Sequence, residues 1–377
     1  MTQSKHPPFY HALAATLTVW TGLDFTFLRS NPDALPLGPN KPPNLFIHTT
    51  LEAFPWRGGA LAMHLARFLS IALGAITVWG AWRLGGESFP DRPAIGLLAA
   101  AFLAGLPGFL FISGSVNNDN AAGAAGTLVV LLCAMTMRRG LGWGRAALLG
   151  LFLGLGLLSK VGTLALWPLV ALSVSCAWWF SPNRNHALPA ALGQMALAWG
   201  LGLLIASPWL VRNMSLYGDP LAWDFVRSTV DQRVGPFALR DVGWLLSGFH
   251  RTFWGRFGGA GQIELPVWAM ILAAVFTLIV VIGAVRFVVL TIRQSRNAAV
   301  PQFLLLSSAP LLVFLSVVRY SAIALGTDQA RLMFPALAAM AVWVGVGLVG
   351  LFDWMGGEPT KKVLNKDQRD CLLYTSV

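Results

Sequence analysis

Long runs without a charged residue constrain this chain more than any other feature of its sequence. One apolar run extends from Pro93 to Asn118, and a second, from Ala121 to Met137, begins almost at once after it. As helices, such runs are long enough to cross a hydrocarbon layer of about 30 Å. The polar stretch between them, Ser115 to Asn120, contains Asp119 and therefore marks one face of a membrane.

The composition of the chain agrees with a membrane location. Of its 377 residues, 56% are hydrophobic and 11% are charged, whereas a soluble protein has about 25% charged residues. The sequence therefore predicts an all-α fold, a polytopic transmembrane helical bundle. The net charge of +11 comes with basic residues in short loops, where they set topology, so we expect no nucleic-acid partner.

Nine spans are predicted, after an N-terminal apolar helix within Phe9–Leu28 that either spans or lies along the interface. The predicted spans are Ala60–Trp82, Ala94–Ser113, Ala121–Met137, Ala146–Ser159, Gly162–Phe180, Ala190–Leu210, Pro266–Val285, Val300–Val318 and Leu332–Phe352.

We divide the chain into three parts. Residues 1–59 are the remnant of a first outer loop with its apolar helix, and residues 60–352 are the transmembrane domain, which contains a long outer loop, 211–265. Residues 353–377 are a polar tail, and we expect its last part to be disordered or not native coding sequence.

The arginines of the short loops predict the orientation of the bundle. Loops 83–93, 138–145, 181–189 and 286–299 hold nine arginines and only two acidic residues. The positive-inside rule makes these loops cytoplasmic. We therefore expect a multi-pass protein of the plasma (inner) membrane, with its large loops on the extracytoplasmic side.

Three ionisable residues at the predicted outer face are candidates for chemistry. Asp119 either caps a helix or orients an acceptor or a lipid-linked donor. Lys160 is either an interfacial lysine or a point charge for a phosphate, and Ser159 beside it could donate a further hydrogen bond. Arg331 either anchors a span or grips a phosphate with its two-pronged guanidinium.

Cysteine and histidine spacings indicate neither a disulfide framework nor a metal site. We therefore expect no protein-bound metal and no cofactor. The sequence also contains no glycine fingerprint or Walker loop for a soluble nucleotide.

Six short stretches occur in a recognisable order between residues 6 and 340. They are His6–Tyr10 (HPPFY), Ala66–Ser70 (ARFLS), Asn117–Asp119 (NND), Gly154–Lys160 (GLGLLSK), Arg212–Pro220 (RN…YGDP) and Gln329–Pro335 (QARLMFP). The ordered set resembles the motifs of GT-C type polytopic membrane glycosyltransferases, the protein mannosyltransferase-like and aminoarabinose transferase-like families with their bacterial relatives. Leu332 stands where these families usually have Tyr.

The resemblance implies a partner and a reaction. A membrane lipid, polyprenyl phosphate, would carry the sugar at the outer face, and a lipid, glycan or protein would accept it. Lys160 and Arg331 would then serve the phosphate, and Asp119 would be the acidic residue of the second loop. The implied substrate-binding set is completed by Asn118, Ser159, Arg212 and Asp219.

One departure from the family pattern concerns the principal catalytic acid. In these families it lies after a first span and before the HPP stretch, but only five residues precede His6 here. We therefore expect a truncated chain that lacks this acid. Two other functions stay open: a transporter or flippase for a lipid or sugar, and a non-catalytic envelope-assembly protein.

Overall fold

A computed structural model describes residues 6–22, 24–34, 44–182, 184–258, 263–294 and 299–354. Within these ranges the chain is an assembly of thirteen α-helices, which confirms the predicted all-α class. The helices are α1 (Phe9–Thr18), α2 (Gly58–Ser88), α3 (Pro93–Gly105), α4 (Pro107–Ser113), α5 (Asp119–Arg139), α6 (Trp143–Leu157), α7 (Pro168–Trp179), α8 (Arg184–Tyr217), α9 (Trp223–Ser228), α10 (Leu239–Trp254), α11 (Val267–Arg293), α12 (Val300–Ser321) and α13 (Leu337–Phe352).

Short 3₁₀ helices and two small strand pairs complete the described secondary structure. The 3₁₀ helices are Val19–Thr21, Pro32–Ala34, Thr50–Glu52, Val161–Leu166 and Ala330–Ala336. Each strand pair is antiparallel: β1 (Arg29–Ser30) pairs with β2 (Phe46–Ile47), and β3 (Arg256–Phe257) pairs with β4 (Ile263–Glu264).

In the part of the chain that the structure describes, seven helical segments are long and apolar enough to cross a membrane, and the bent pair α3–α4 makes an eighth. The shorter helix α6 has 15 residues. These segments correspond to the nine predicted spans, and the chain is a multi-pass membrane protein. The predicted tail beyond Trp354 lies outside the described residues, and the division into three parts stays a prediction.

Prolines interrupt two of the predicted spans. The predicted helix Ala94–Ser113 is wrong as a single helix, because α3 and α4 meet at an angle of 65°. Leu106 is extended and Pro107 begins α4, since a proline ring disfavours the helical conformation in the residue before it. Pro168 begins α7, and a 3₁₀ helix replaces the first third of that predicted span. Trp167, before this proline, keeps helical dihedrals, so the segment continues without a bend like that at Pro107.

Helix α1 is shorter than the predicted apolar helix. It ends at Thr18, and after a 3₁₀ turn Gly22 adopts a positive φ of 74°. It is not among the helices that are long enough to span. Instead, α1 packs against the beginning of α2.

Helix α5 lies at the centre of the bundle, where sixteen of its 21 residues are buried. Its small residues permit close backbone contact: a Cβ at Gly126 would overlap the carbonyl oxygen of Pro335. Helix α11, by contrast, is peripheral and has four buried residues. It packs mainly on α13, where Gly283 meets the carbonyl of Gly347.

Candidate functional site

The first residue of α5 brings together the three ionisable residues that the sequence singled out. Asp119 is 2% exposed, and its Oδ1 forms an ion pair with Lys160 Nζ. Its Oδ2 lies 3.7 Å from Arg331 Nε. The side chains of Lys160 and Arg331 are 21% and 38% exposed, so one buried carboxylate holds two cations that also reach the surface.

Neighbouring amides fix the position of Asp119. Asn117 Oδ1 accepts a hydrogen bond of 2.8 Å from the Asp119 backbone N–H, and Asn120 Nδ2 donates to the Ile112 carbonyl at 2.9 Å. Asn117 therefore satisfies a free N–H at the helix start. This is the capping role that one of the two interpretations gave to Asp119. The carboxylate of Asp119 is left to pair with cations, at the helix end where a negative charge is favourable.

The segment that contains Lys160 is tied to the same helix start. Asn118 Nδ2 donates to the Ser159 carbonyl at 2.9 Å, and Lys160 has extended backbone dihedrals between α6 and the following 3₁₀ helix. The buried Ser159 hydroxyl donates to the Leu155 carbonyl at 2.7 Å. That hydroxyl is turned into α6, so this geometry does not support the predicted hydrogen bond to a ligand.

Tyr10 joins the N-terminal stretch to this cluster, a contact that no spacing in the sequence indicated. Its fully buried hydroxyl accepts from the Asn117 N–H at 3.1 Å and shares a hydrogen bond of 2.7 Å with Ser70 Oγ. Burial raises the pKa of Tyr10. In addition, the backbone N–H of Phe9 donates a hydrogen bond of 2.9 Å to the Leu158 carbonyl. Five of the six motif stretches therefore meet at one place.

Helix α10 orients the segment that carries Arg331. The Ala330 N–H donates to Thr252 Oγ1 at 2.8 Å. A cavity of about 380 Å³ opens beside Arg331, between α4, the end of α10 and this segment. Among its lining residues are Phe109, Asn117, Phe253, Arg256, Asp328 and Phe334.

Among the described residues, no hydrogen bond or ion pair joins Arg212 or Asp219 to the Asp119 cluster. The Asp219 carboxylate accepts from the N–H groups of Leu221, at 2.9 Å, and Trp223, and so supports the start of α9. Arg212 donates to Asn213 Oδ1 at 3.2 Å and borders a different cleft, beside Pro8 and Leu158. Asp219 serves a local turn, and the predicted substrate contacts of both residues stay predictions.

A second cluster of one carboxylate and two cations lies at the other end of α5. The side chain of Glu87, at the end of α2, is 4% exposed. Its Oε1 accepts from Arg138 Nη1 at 3.3 Å and from Arg139 Nε at 2.9 Å, and Oε2 accepts from Arg139 Nη2. No group of three or more potential metal ligands occurs within the described ranges.

Sequence comparison connects this architecture to a family. Residues 59–211, less than half of the chain, match the family model described as dolichyl-phosphate-mannose-protein mannosyltransferase. The resemblance to GT-C membrane glycosyltransferases is confirmed. The matched GT-C region contains the Asn117–Asp119 and Gly154–Lys160 stretches, and thus Asp119 and Lys160. No curated protein matches the chain.

A solved structure has a similar fold over nearly the whole chain. The oligosaccharyltransferase of Archaeoglobus fulgidus, in complex with Zn and sulfate, aligns with 93% of this chain at 14% identity and a TM-score of 0.50. The aligned part is 41% of that protein, so the present chain spans about two fifths of its length. The apo form of the same oligosaccharyltransferase gives a TM-score of 0.47.

Proposed function

We propose that this protein transfers a sugar from a polyprenyl-phosphate donor to an acceptor at the extracytoplasmic membrane face. One observation supports the proposal above all others. A buried carboxylate at the end of a central span holds two partly exposed cations, Lys160 and Arg331, beside a cavity. This arrangement has a net positive charge and is suited to bind an anion such as a phosphate.

The proposed reaction uses these cations to stabilise a leaving group. The acceptor oxygen forms a bond to the anomeric carbon and loses its proton to a carboxylate base, which the resemblance to GT-C glycosyltransferases implies. The bond between the anomeric carbon and the phosphate oxygen breaks, and the phosphate retains the electron pair. Lys160 and Arg331 stabilise the charge that develops on the phosphate. Because phosphate leaves as a stable anion, the reaction needs no second carboxylic acid of the kind that glycoside hydrolases use.

Asp119 has a positioning role in this proposal. Both of its carboxylate oxygens face cations, so we assign it the placement of Lys160 and Arg331 rather than contact with the acceptor. Asp119 is the buried member of the cluster, whereas Lys160 and Arg331 are partly exposed. Removal of Asp119 therefore leaves two cations without the anion that fixes their geometry.

The proposed membrane orientation follows from the two ends of α5. At 1.5 Å per residue, its 21 residues extend about 32 Å, so Asp119 and Arg139 lie near opposite faces. The arginine-rich end is the cytoplasmic one under the positive-inside rule. In this orientation a cysteine at Val116 is labelled by an impermeant thiol reagent added outside cells, and one at Leu141 is not; the reverse pattern would contradict the orientation.

A transfer assay tests the function. The protein is reconstituted in lipid vesicles with a synthetic polyprenyl-phosphate sugar, and glycosylated product is measured by mass spectrometry. We expect Lys160→Ala and Arg331→Ala each to reduce the rate tenfold or more, about 1.4 kcal/mol of transition-state stabilisation, because each change removes a cation from the leaving phosphate.

Two controls separate chemistry from folding. Arg138→Ala removes a cation whose exposure is close to that of Arg331, at the other end of α5, and is expected to leave the rate unchanged. Thermal unfolding of each variant shows whether it is folded, and Lys160→Arg keeps the charge. Full activity in both alanine variants would remove the phosphate-site assignment. Transbilayer movement of the donor lipid without any product would favour the flippase alternative.

A further inference from the structure

The cavity beside Arg331 contains a second guanidinium, that of Arg256. We call this space of about 380 Å³ the Arg256 cavity. It is within the usual range for small-molecule sites. A space of this size suits a sugar or a lipid headgroup rather than a long polyprenyl chain.

The guanidinium of Arg256 has hydrogen-bonding capacity to spare. Its Nε is buried, and no acceptor among the described residues reaches it. Burying a donor without a partner costs about 1–3 kcal/mol, so an oxygen atom of a ligand at this position would be stabilising. Sequence reasoning missed this residue, because a single arginine in a long aromatic loop carries no motif.

The hairpin that carries Arg256 does not neutralise its charge. Glu264 is its partner in the β3–β4 register, but the Glu264 carboxylate forms an ion pair of 3.0 Å with Arg251 instead. The hairpin is held by backbone contacts, including a hydrogen bond of 2.8 Å from the Leu265 N–H to the Gly255 carbonyl. The hairpin therefore fixes Arg256 at the cavity wall, and Glu264 does not form an ion pair with it.

The side chains of the cavity wall indicate which class of ligand the cavity suits. Among the described residues, the ionisable side chains of the wall are two arginines, Arg256 and Arg331, and one acid, Asp328, which gives a net positive charge. Guanidinium groups bind phosphate and carboxylate with paired hydrogen bonds. Asp328 can accept a hydrogen bond from a hydroxyl, and aromatic rings form the apolar walls. A ligand with hydroxyl groups and one anionic group matches this lining.

We propose that the Arg256 cavity binds the acceptor, and that the acceptor carries a phosphate or carboxylate group that Arg256 contacts. This inference rests on the proposed function, because that function places the donor phosphate at Lys160 and Arg331. The cavity adjoins that position through Arg331. An acceptor held there lies next to the bond that breaks.

Kinetics with matched acceptors test the proposal. In the reconstituted protein, with a saturating monophosphate donor, we compare a phosphorylated sugar acceptor with its unphosphorylated analogue. Arg256→Gln is expected to raise the KM for the phosphorylated acceptor tenfold or more, to leave the KM for the neutral acceptor unchanged, and to leave the donor KM unchanged. Arg251→Gln, which changes the neighbouring ion pair without touching the cavity wall, is the matched control.

Several outcomes would overturn the assignment. They are an unchanged KM for the phosphorylated acceptor, an equal rise for both acceptors, and a rise in the donor KM alone, which would assign the anion to the donor. Arg256→Lys keeps a positive charge and distinguishes loss of charge from misfolding, because it is expected to recover part of the affinity.

A binding measurement distinguishes failure of this inference from failure of the proposed function. Calorimetry with the phosphorylated acceptor, in the absence of donor, is expected to detect binding to the unmodified protein and weaker binding to Arg256→Gln. Such binding without any sugar transfer would contradict the transferase and keep the anion subsite. Sugar transfer at an unchanged rate and acceptor KM in Arg256→Gln would support the transferase and contradict the anion subsite.

Discussion

The two ends of α5 carry the same set of charges in different surroundings. At one end Asp119 holds Lys160 and Arg331, which come from later segments; at the other, Arg138 and Arg139 of α5 itself hold Glu87. Both carboxylates are almost fully buried. Arg331 borders a cavity, whereas the arginines at the Glu87 end border neither of the two described cavities.

The difference shows what makes a charge cluster a candidate site. One carboxylate with two cations can close the end of a membrane bundle, as at Glu87, where Arg139 approaches both carboxylate oxygens. At Asp119 each oxygen faces a different cation, and each cation keeps donors for another partner. The cavity, rather than the number of charges, separates a binding site from a structural ion pair.

The largest expected effect is on the rate of sugar transfer, and it distinguishes the carboxylate of Asp119 from that of Glu87. Asp119→Ala is expected to reduce sugar transfer at least a hundredfold, about 2.7 kcal/mol, because both cations lose their anchor. Glu87→Ala is expected to lower thermal stability and to leave the rate per folded molecule unchanged. Transfer rates normalised to folded protein check this pair, and equal rate losses in both variants would show that the two clusters are equivalent.

A smaller effect tests the packing behind Arg331. Gly126→Ala forces the new methyl group against the carbonyl of Pro335, in the 3₁₀ helix that carries Arg331. We expect it to lower the free energy of unfolding by about 1–3 kcal/mol. Gly86→Ala is the matched control, since a Cβ there meets nothing within 4 Å and alanine favours a helix. Denaturant unfolding in detergent measures both; identical midpoints would contradict the proposed close contact.

The smallest effect concerns the loop between α9 and α10, which Arg233 joins to the end of α12. Arg233 Nε donates to the Ser321 carbonyl at 2.8 Å, and Arg233 Nη1 pairs with Asp241 at 3.0 Å. The Ala238 N–H and then Arg233 lower the pKa of Asp241. A carboxyl group with a lowered folded-state pKa stabilises the fold above its unfolded-state pKa, and this contribution is lost as the pH falls through the folded-state value.

Hydrogen exchange of residues 322–328 measures this clamp. Protection is expected to fall as the pH is lowered through the pKa of Asp241 in the folded protein, after correction for intrinsic exchange. Arg233→Gln is expected to reduce protection up to about tenfold at neutral pH, the size of one charge-assisted hydrogen bond, with Arg240→Gln as an exposed control. Unchanged protection in Arg233→Gln would exclude the clamp.

Much of the helical architecture could be predicted from apolar runs, but its interruptions could not. The run Ala94–Ser113 is apolar throughout, so composition alone joins α3 and α4, although Pro107 makes a continuous helix unfavourable. Hydropathy indicates whether a segment is stable in the bilayer, but it does not indicate whether the backbone of that segment forms one continuous helix. The same reason explains why the 3₁₀ helix before Pro168 was predicted as part of a regular span.

The candidate site was predictable as a set of residues and not as a geometry. The family motifs brought out Asp119, Lys160 and Arg331, whereas the ion pairs among them depend on tertiary packing of segments far apart in sequence. The same packing turns the Ser159 hydroxyl inward and takes Asp219 into a local turn. Arg256 belongs to no motif, and only the folded chain shows that it borders a cavity.

The position of α11 has a consequence for how the protein is made. This helix is the most apolar of the candidate spans, yet its glycine contacts are with α13, which the ribosome completes only after α12. During synthesis α11 must therefore enter the bilayer with its principal neighbour still missing. Because α11 is strongly apolar, it is stable alone in lipid and can be inserted before α13 is available to pack against it.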